Sequence, residues 1–362
     1  MTVTEKDILT ALSHVEEPDL KKDLVTLNMV KDIHIEGKQV SFTVVLTTPA
    51  CPLKDMIRNA CINAVHVIIS KDLEVTVNMT AKVTAQNPKD PKHVPGLKNL
   101  VTVGSGKGGV GKSTVSANLA IALAQQGAKV GLLDADVYGP SVPIMFNLLD
   151  ERLYMAEKDG KDWFIPFDRY GIKVMSMGFM VPSTQAVVLR GPVISKALNQ
   201  MIRDSEWGEL DYLIIDLPPG TGDIAITLAT DYTVTGGIIV TTPQPVAVAD
   251  ARKAAEMFLN PRINIPLLGV VENMSYFTPP ELPNNQYFLF GRGGGSSLAQ
   301  TLNIPLLGEI PIVEFIRQAG DDGKPVATDP DSKLGKVFAE LASKTAQQVS
   351  LINAQKQESV LA

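Results

Sequence analysis

The apolar positions divide the chain into a short, mixed stretch and a long series of buried runs. In the first stretch, Thr4 and Asp7 have capping-box spacing. Ile8, Leu9, Leu12 and Val15 then share one helical face that Pro18 and Asp19 should stop. VKDIHIEG and KQVSFTVVLTT read as two strands around a turn at residues 36–38. LKDMIRNACINAVHVII carries a single helical stripe, and LEVTVNMTA alternates as a strand. Helix, strand, strand, helix, strand makes a small α+β domain over residues 1–85. Residues 86–97, QNPKDPKHVPGL, place three prolines in a polar setting and interrupt both periodicities, as a linker does.

From residue 98 the pattern changes. An apolar run at 100–103 leads through a glycine-rich turn into SANLAIALAQQG, which has helical periodicity. AKVGLLDADVYGPS reads as a strand ending in two aspartates, and residues 151–171 as a hairpin or excursion. IKVMSMGFMV reads as a buried strand, RGPVISKALNQMIRD as a helix, and DYLIIDLPPGTGD as a strand ending at Asp216. GGIIVTTPQP and PLLGVVENMS supply further strands with the helix ADARKAAEMFL between them, and NIPLLGEIPIVE supplies the last. In DSKLGKVFAELASKTAQQV, Leu334, Val337, Phe338 and Leu341 fall on one helical face. Strands alternating with helices predict an α/β fold with a mostly parallel, doubly wound sheet over residues 98–350, followed by a flexible tail at 351–362.

Composition narrows the function more than the fold. A net charge of −6 argues against a general nucleic-acid binder, which carries a basic surface. No apolar run approaches the ~18 residues of a membrane span, and MTVTEKDILTAL has no apolar core of signal-peptide length, so the expectation is a cytoplasmic protein. With two cysteines, Cys51 and Cys61, a disulfide framework is excluded. His14, His34, His66 and His93 have no partner at metal-ligand spacing and read as structural or solvated.

The glycine-rich turn is the strongest chemical signal. Residues 106–113 fit glycine, four residues, Gly-Lys-Ser/Thr, the Walker A pattern of a P-loop NTPase. Gly106, Lys107, Gly108, Gly109, Val110, Gly111, Lys112, Ser113 and Thr114 are therefore candidate nucleotide-binding residues, their N–H groups converging on phosphate at a helix N-terminus. Lys112 should reach the β- and γ-phosphates of ATP and Ser113 should hold Mg²⁺. Asp216, ending an apolar run, reads as the Walker B carboxylate that holds Mg²⁺ through water, with Gly220 in the loop beyond it. Asp136 is placed to orient the attacking water, and Asn273 to read the adenine edge.

The cysteines differ. Pro52 suits the first position of a helix, which would put Cys51 at the N-cap with a lowered thiol pKa, ready to bind metal. Cys61 lies in the apolar stripe and reads as a small buried hydrophobe. Ten helical residues span about 15 Å, whereas a disulfide needs Cα atoms within about 7 Å, so the two should not pair.

GKGGVGKST, DADVYGPS from Asp134, DLPPGTGD from Asp216 and ENMS from Glu272 together resemble the Mrp/ApbC family of iron–sulfur cluster carrier ATPases, part of the MinD-like group with a deviant Walker A loop. TTPACP, ending just past Cys51, resembles the small MIP18-like domain of iron–sulfur assembly factors. The resemblance covers residues 4–345. It implies that Lys107 reaches across a homodimer to the partner's nucleotide and that Lys107, Lys112 and Asp136 serve ATP hydrolysis. It also implies a labile 4Fe–4S cluster passed to apo iron–sulfur proteins, with assembly scaffold proteins as further partners. One departure is plain. The family's Cys-x-x-Cys after Glu-Asn-Met is missing, and no cysteine follows residue 61. A 4Fe–4S cluster normally takes four thiolates, so here it would rest on Cys51 with ligands from elsewhere. The alternative is a nucleotide-switched adaptor or scaffold ATPase that carries no cluster.

Overall fold

The computed structural model describes residues 3–85, 90–180, 191–220, 222–279 and 281–361. The first four residues of the expected linker (86–89), Val181 at the end of IKVMSMGFMV, Arg190 of the following helix and Thr221 of the Asp216 loop lie outside them. The chain forms two compact units, one of Met1–Thr84 with Ala346–Ala362, the other of Ala85–Thr345.

In the smaller unit, α1 (Glu5–Leu12) starts at the expected capping box, in which Thr4 and Asp7 each bond the other's backbone N–H. The helix ends at Leu12, before Pro18. The chain has by then turned into a two-stranded ribbon of β1 (Glu16–Glu17) and β2 (Lys22–Asp23), and Leu24 N–H closes back on the Val15 carbonyl. β3 (Val30–Glu36) and β4 (Gln39–Leu46) form an antiparallel pair turning at Gly37, whose φ of +62° favours glycine. α2 (Lys54–Ile68) then crosses to β5 (Glu74–Ala81), which pairs parallel with β4. The strict alternation of β4 turns Val40, Phe42, Val44 and Leu46 inward against Ile8, Leu12, Ile57, Cys61 and Val65 of the two helices.

The larger unit runs β6 (Leu97–Ser105), α3 (Lys112–Gln125), β7 (Val130–Asp134), α4 (Val142–Met145), β8 (Tyr154–Lys158), β9 (Lys161–Ile165), β10 (Phe167–Arg169) and β11 (Ile172–Ser176). It continues with α5 (Gly191–Arg203), β12 (Leu210–Asp216), α6 (Asp223–Asp231), β13 (Gly236–Thr241), α7 (Pro245–Leu259), β14 (Leu267–Glu272), α8 (Gly294–Leu302), β15 (Leu306–Glu309), α9 (Glu314–Asp321) and α10 (Lys333–Leu361). Eight strands make one sheet in the order β10-β11-β7-β12-β6-β13-β14-β15, parallel throughout except for the antiparallel β10–β11 edge. β7, β12, β13 and β14 are buried at every residue, the result of helices covering both faces of the sheet. β6 comes first in the chain yet lies near the middle, with β7 and β12 on one side and β13 on the other. Connections leave it in both directions, and such a switch point opens a crevice at the carboxyl ends of the strands. β8 and β9 form the expected hairpin, outside this sheet.

The expected flexible tail is instead helix. α10 continues to Leu361, and the division between the units falls inside it, at Thr345, not at residue 350. The cause is local hydrogen bonding within the smaller unit, where Gln347 donates to Asp19 and Asn353 donates to the Thr84 carbonyl at 3.1 Å.

Candidate nucleotide site and the two cysteines

The turn between β6 and α3 is held by contact as much as by conformation. A Cβ on Gly106 would sit 2.0 Å from the backbone carbon of Asp250 in α7, so the loop is pressed onto that helix. Gly109 and Gly111 have φ of +81° and +79°, in the left-handed region. The Asn273 amide donates to the Val110 carbonyl at 2.8 Å. Asn273, expected at the adenine edge, thus first braces the phosphate loop from the end of β14. Beyond β12, Gly220 N–H donates to the Ser105 carbonyl at 2.8 Å, tying the Asp216 loop to the start of the glycine turn. The Lys107 carbonyl accepts from Ser105 Oγ at 3.0 Å, and its half-buried side chain makes no ion pair among the described residues.

Lys112 and Asp216 form a buried ion pair, Nζ to Oδ1 at 2.9 Å, with side chains 6% and 0% exposed. Ser116 Oγ donates to the same oxygen at 2.7 Å, and Lys112 Nζ also donates to Ser113 Oγ at 3.2 Å. The other Asp216 oxygen is buried without a partner. A buried carboxylate oxygen left unpaired is costly. The Ser113 hydroxyl is bonded to the same Lys112 ammonium, and a hydroxyl with a carboxylate oxygen left over is chemically right for a hydrated Mg²⁺, a hard cation that takes oxygen ligands. The residues fit the metal.

Parallel register sets Asp134 beside Asp216. Complete burial, and next the Asp216 charge, push the Asp134 carboxyl up to about 8. It is therefore protonated at neutral pH, pinned by Asp136 N–H at 3.0 Å, Val142 N–H at 3.2 Å and Ser176 Oγ at 3.1 Å. Asp136 is 9% exposed, and one of its oxygens accepts from Gly139 N–H at 3.2 Å, closing its own turn. Ser116, Ser176 and Glu272 were not candidates from sequence. Glu272 is fully buried and accepts from Ser275 Oγ and from Gly295 N–H in the first turn of α8, each at 2.5 Å. The spacing of Ser116 four residues beyond Lys112, one helical turn, was the one available signal for it.

For Cys51 the expectation is overturned. α2 begins at Lys54 with Leu53 as its N-cap, so Cys51 and Pro52 precede the helix. Its half-buried thiol is raised above the usual range, chiefly by burial and further by Glu17 and Asp19, against the opposing backbone hydrogen bond at Leu53. Cys61 is fully buried and pushed up to about 12 by desolvation, as a core residue would be. Both are free thiols, and among the described residues no group of three or more His, Cys, Asp or Glu side chains could hold a metal ion.

Strand, glycine turn, helix, buried lysine and an aspartate ending the neighbouring strand define a P-loop NTPase. The chain belongs to the NUBPL iron-transfer P-loop NTPase family, which matches residues 96–346. Residues 5–77 match the iron-sulfur cluster assembly protein family. Over 355 residues the chain is 45% identical to an iron-sulfur cluster carrier protein of Synechocystis, covering 96% of this chain and 99% of that one. It is 41% identical over 359 residues to the chloroplastic Fe-S cluster assembly factor HCF101 of Arabidopsis thaliana, covering 97% of this chain and 65% of the longer relative. Among solved structures, a nucleotide-binding protein of Archaeoglobus fulgidus in complex with ADP is similar, with 39% identity and a TM-score of 0.57. That match covers 67% of this chain and 93% of the other.

Two outcomes follow from the titrations. Iodoacetamide at neutral pH should alkylate Cys51 more slowly than free N-acetylcysteine and leave Cys61 untouched, as intact mass would show. The Cys51 rate should keep rising above about pH 10, where a thiol of the usual pKa of 9.0 is almost fully ionised and has levelled off, since its own pKa lies higher. For Asp134, the folded state keeps a proton up to about 8 that the unfolded chain releases near 3.8. The stability this group contributes is complete below pH 4 and is lost as pH rises through about 8. Asp134→Asn should flatten that decline in nucleotide-free protein. Tryptophan emission during urea unfolding measures it, because Trp163 and Trp207 both lie in the larger unit.

Proposed function

We propose that this protein is an ATP-hydrolysing iron–sulfur cluster carrier, working as a homodimer in the cytoplasm, with assembly scaffold proteins as partners and apo-proteins as the recipients of its clusters. The observation that carries the reading is the Lys112–Asp216–Ser113 constellation in a chain similar over 96% of its length to a cluster carrier. ATP is the substrate. The loop N–H groups and the α3 N-terminus hold its phosphates, and Lys112 neutralises charge on the β- and γ-phosphates. Ser113 and, through water, Asp216 would hold Mg²⁺, which when bound offsets negative charge on the phosphate oxygens. Asp136 orients a water whose oxygen attacks the γ-phosphorus. The bond to the β–γ bridging oxygen breaks, and ADP and phosphate leave. Lys107, with its side chain unpaired among the described residues, serves the partner's nucleotide across the dimer. Gly106, Gly108, Gly109, Val110, Gly111 and Thr114 complete the cradle, and Asn273 fixes its shape.

The cluster is cargo. With Cys61 fully buried, Cys51 is the thiol available to it, and the remaining ligands come from the second copy or the recipient. The raised Cys51 pKa favours a second reading, a nucleotide-switched adaptor that carries no cluster.

Lys112→Ala should lower ATP turnover at least ~100-fold; undiminished phosphate release would refute the phosphate-cradle assignment. Anaerobic reconstitution with iron and sulfide separates the two readings. A carrier shows a cluster absorption band that Cys51→Ala loses. An adaptor shows no band in either protein while still dimerising with ATP.

A further inference from the structure

In the smaller unit, the three-stranded sheet ends on β5, which pairs with β4 on one side and with no strand on the other. Glu74 N–H donates to the Lys38 carbonyl at 2.8 Å and Lys82 N–H to the Leu46 carbonyl at 2.9 Å. Backbone groups alternate in direction along a strand, so the even-numbered residues from 74 to 82 turn theirs toward β4. Val75, Val77, Met79 and Ala81 turn their N–H and C=O groups outward, where none has a backbone partner among the described residues. This edge lacks the usual guards. From Glu74 to Lys82 it has no proline, no bulge against β4 and no charge on its core-facing side. The sheet's other edge differs, because β3 carries a bulge between Lys31 and His34, with Asp32 at a φ of +51°.

The strand's own sequence says what fits that edge. Val75, Val77 and Met79 are half-buried against the core of the unit, while Glu74, Thr76, Asn78, Thr80 and Lys82 are exposed. Among the described residues neither Glu74 nor Lys82 has an ion-pair partner, and the Glu74 carboxylate accepts a long bond from Gln39 at 3.5 Å. Run antiparallel against a second copy of itself about Asn78, the strand sets Val77 opposite Met79 and Val75 opposite Ala81. Those are hydrogen-bonded pairs, so every outward N–H and C=O meets its counterpart. On the exposed face Thr76 comes opposite Thr80 and Glu74 opposite Lys82, pairings that favour association. A dyad at Val77 would instead put Glu74 opposite Thr80 and leave Ala81 opposite Leu73, outside the strand.

We propose that β5 is an interface between two copies of this chain, β5 against β5 with the two-fold axis at Asn78, joining two three-stranded sheets into one. A two-fold contact needs a surface complementary to itself. Opposite charges placed at equal distances on either side of Asn78 supply that complementarity. A uniformly basic or acidic peptide would meet its own sign at one end of the strand. Val77 of one copy packs on Met79 of the other and extends the apolar face across the seam, taking half-exposed surface out of water. The phosphate loop lies in the other unit, so this pairing needs no nucleotide and is distinct from the ATP-linked homodimer.

The test uses the full chain without nucleotide, in a Cys51→Ser background that leaves Cys61, fully buried, as the one native thiol. Residues facing each other in a non-hydrogen-bonded pair have Cα atoms about 4.5 Å apart, inside the ~4.4–6.8 Å span of a disulfide. Asn78→Cys should therefore give a covalent dimer under mild oxidation, seen on non-reducing gels. Thr76→Cys and Thr80→Cys should each give little dimer alone and a covalent pair when mixed. In sedimentation, Lys82→Glu should weaken association about tenfold, and adding Glu74→Lys should restore it. All five side chains are exposed, so these changes spare the core. No covalent dimer from Asn78→Cys, equal cross-linking of Thr76→Cys alone, or unchanged association in Lys82→Glu would overturn the proposal.

Discussion

The larger unit depends on how it keeps three ionisable groups, Lys112, Asp134 and Asp216, out of water. One ammonium against two carboxylates in a low-dielectric interior would leave a buried negative charge, at a cost of several kcal/mol. The proton that Asp134 retains up to about 8 removes it. What remains is one ion pair and one neutral acid, tied to backbone N–H groups and to serines on α3 and β11. The parallel pairing of β7 with β12 enforces this arrangement, because a one-residue slip would turn either aspartate to the opposite face of the sheet. Fold and site therefore share a constraint: the register that builds the sheet also places the carboxylates.

Local chemistry was legible in the chain and long-range pairing was not. The capping box of Thr4 and Asp7, the alternation of β4 and the spacing of the glycines depend on neighbours a few residues away, so periodicity and turn rules reach them. Ser116 on Asp216, Asn273 on Val110 and Glu272 on Gly295 join residues 100, 163 and 23 positions apart. No pattern along the chain marks these bonds, since they exist only once β12 and β14 lie beside β6 and α8. The same reason gave Asn273 a base-reading role in sequence and a loop-bracing bond in the structure.

Cys51 shows how a local rule can mislead. Proline favours the first position of a helix because it lacks the N–H that would be unsatisfied there. It is also at home in the turn that leads into one, and here α2 starts two residues later, at Lys54. That shift takes the thiol away from the N-cap. Tertiary burial then dominates, adding to the charges of Glu17 and Asp19. The tail misled for a similar reason. Residues beyond about 351 carry mixed polarity, yet Asn353, like Gln347 one turn before the segment, finds a partner in the smaller unit, and α10 continues.

The electrostatics at Cys51 bear on the carrier reading in two opposed ways. Glu17 and Asp19 disfavour a thiolate because they add a negative charge to an already acidic, half-buried corner. Iron reverses the sign of that argument. A metal cation draws the same field to itself, and the thiol loses its proton as the metal–sulfur bond forms. A raised pKa is thus compatible with a ligand that stays protonated while empty and becomes a thiolate on loading. Binding of that kind releases a proton and weakens as pH falls. A cluster resting on such a thiol is held less firmly than one on four preformed thiolates, and a carrier requires a hold of that kind if the cluster is to leave.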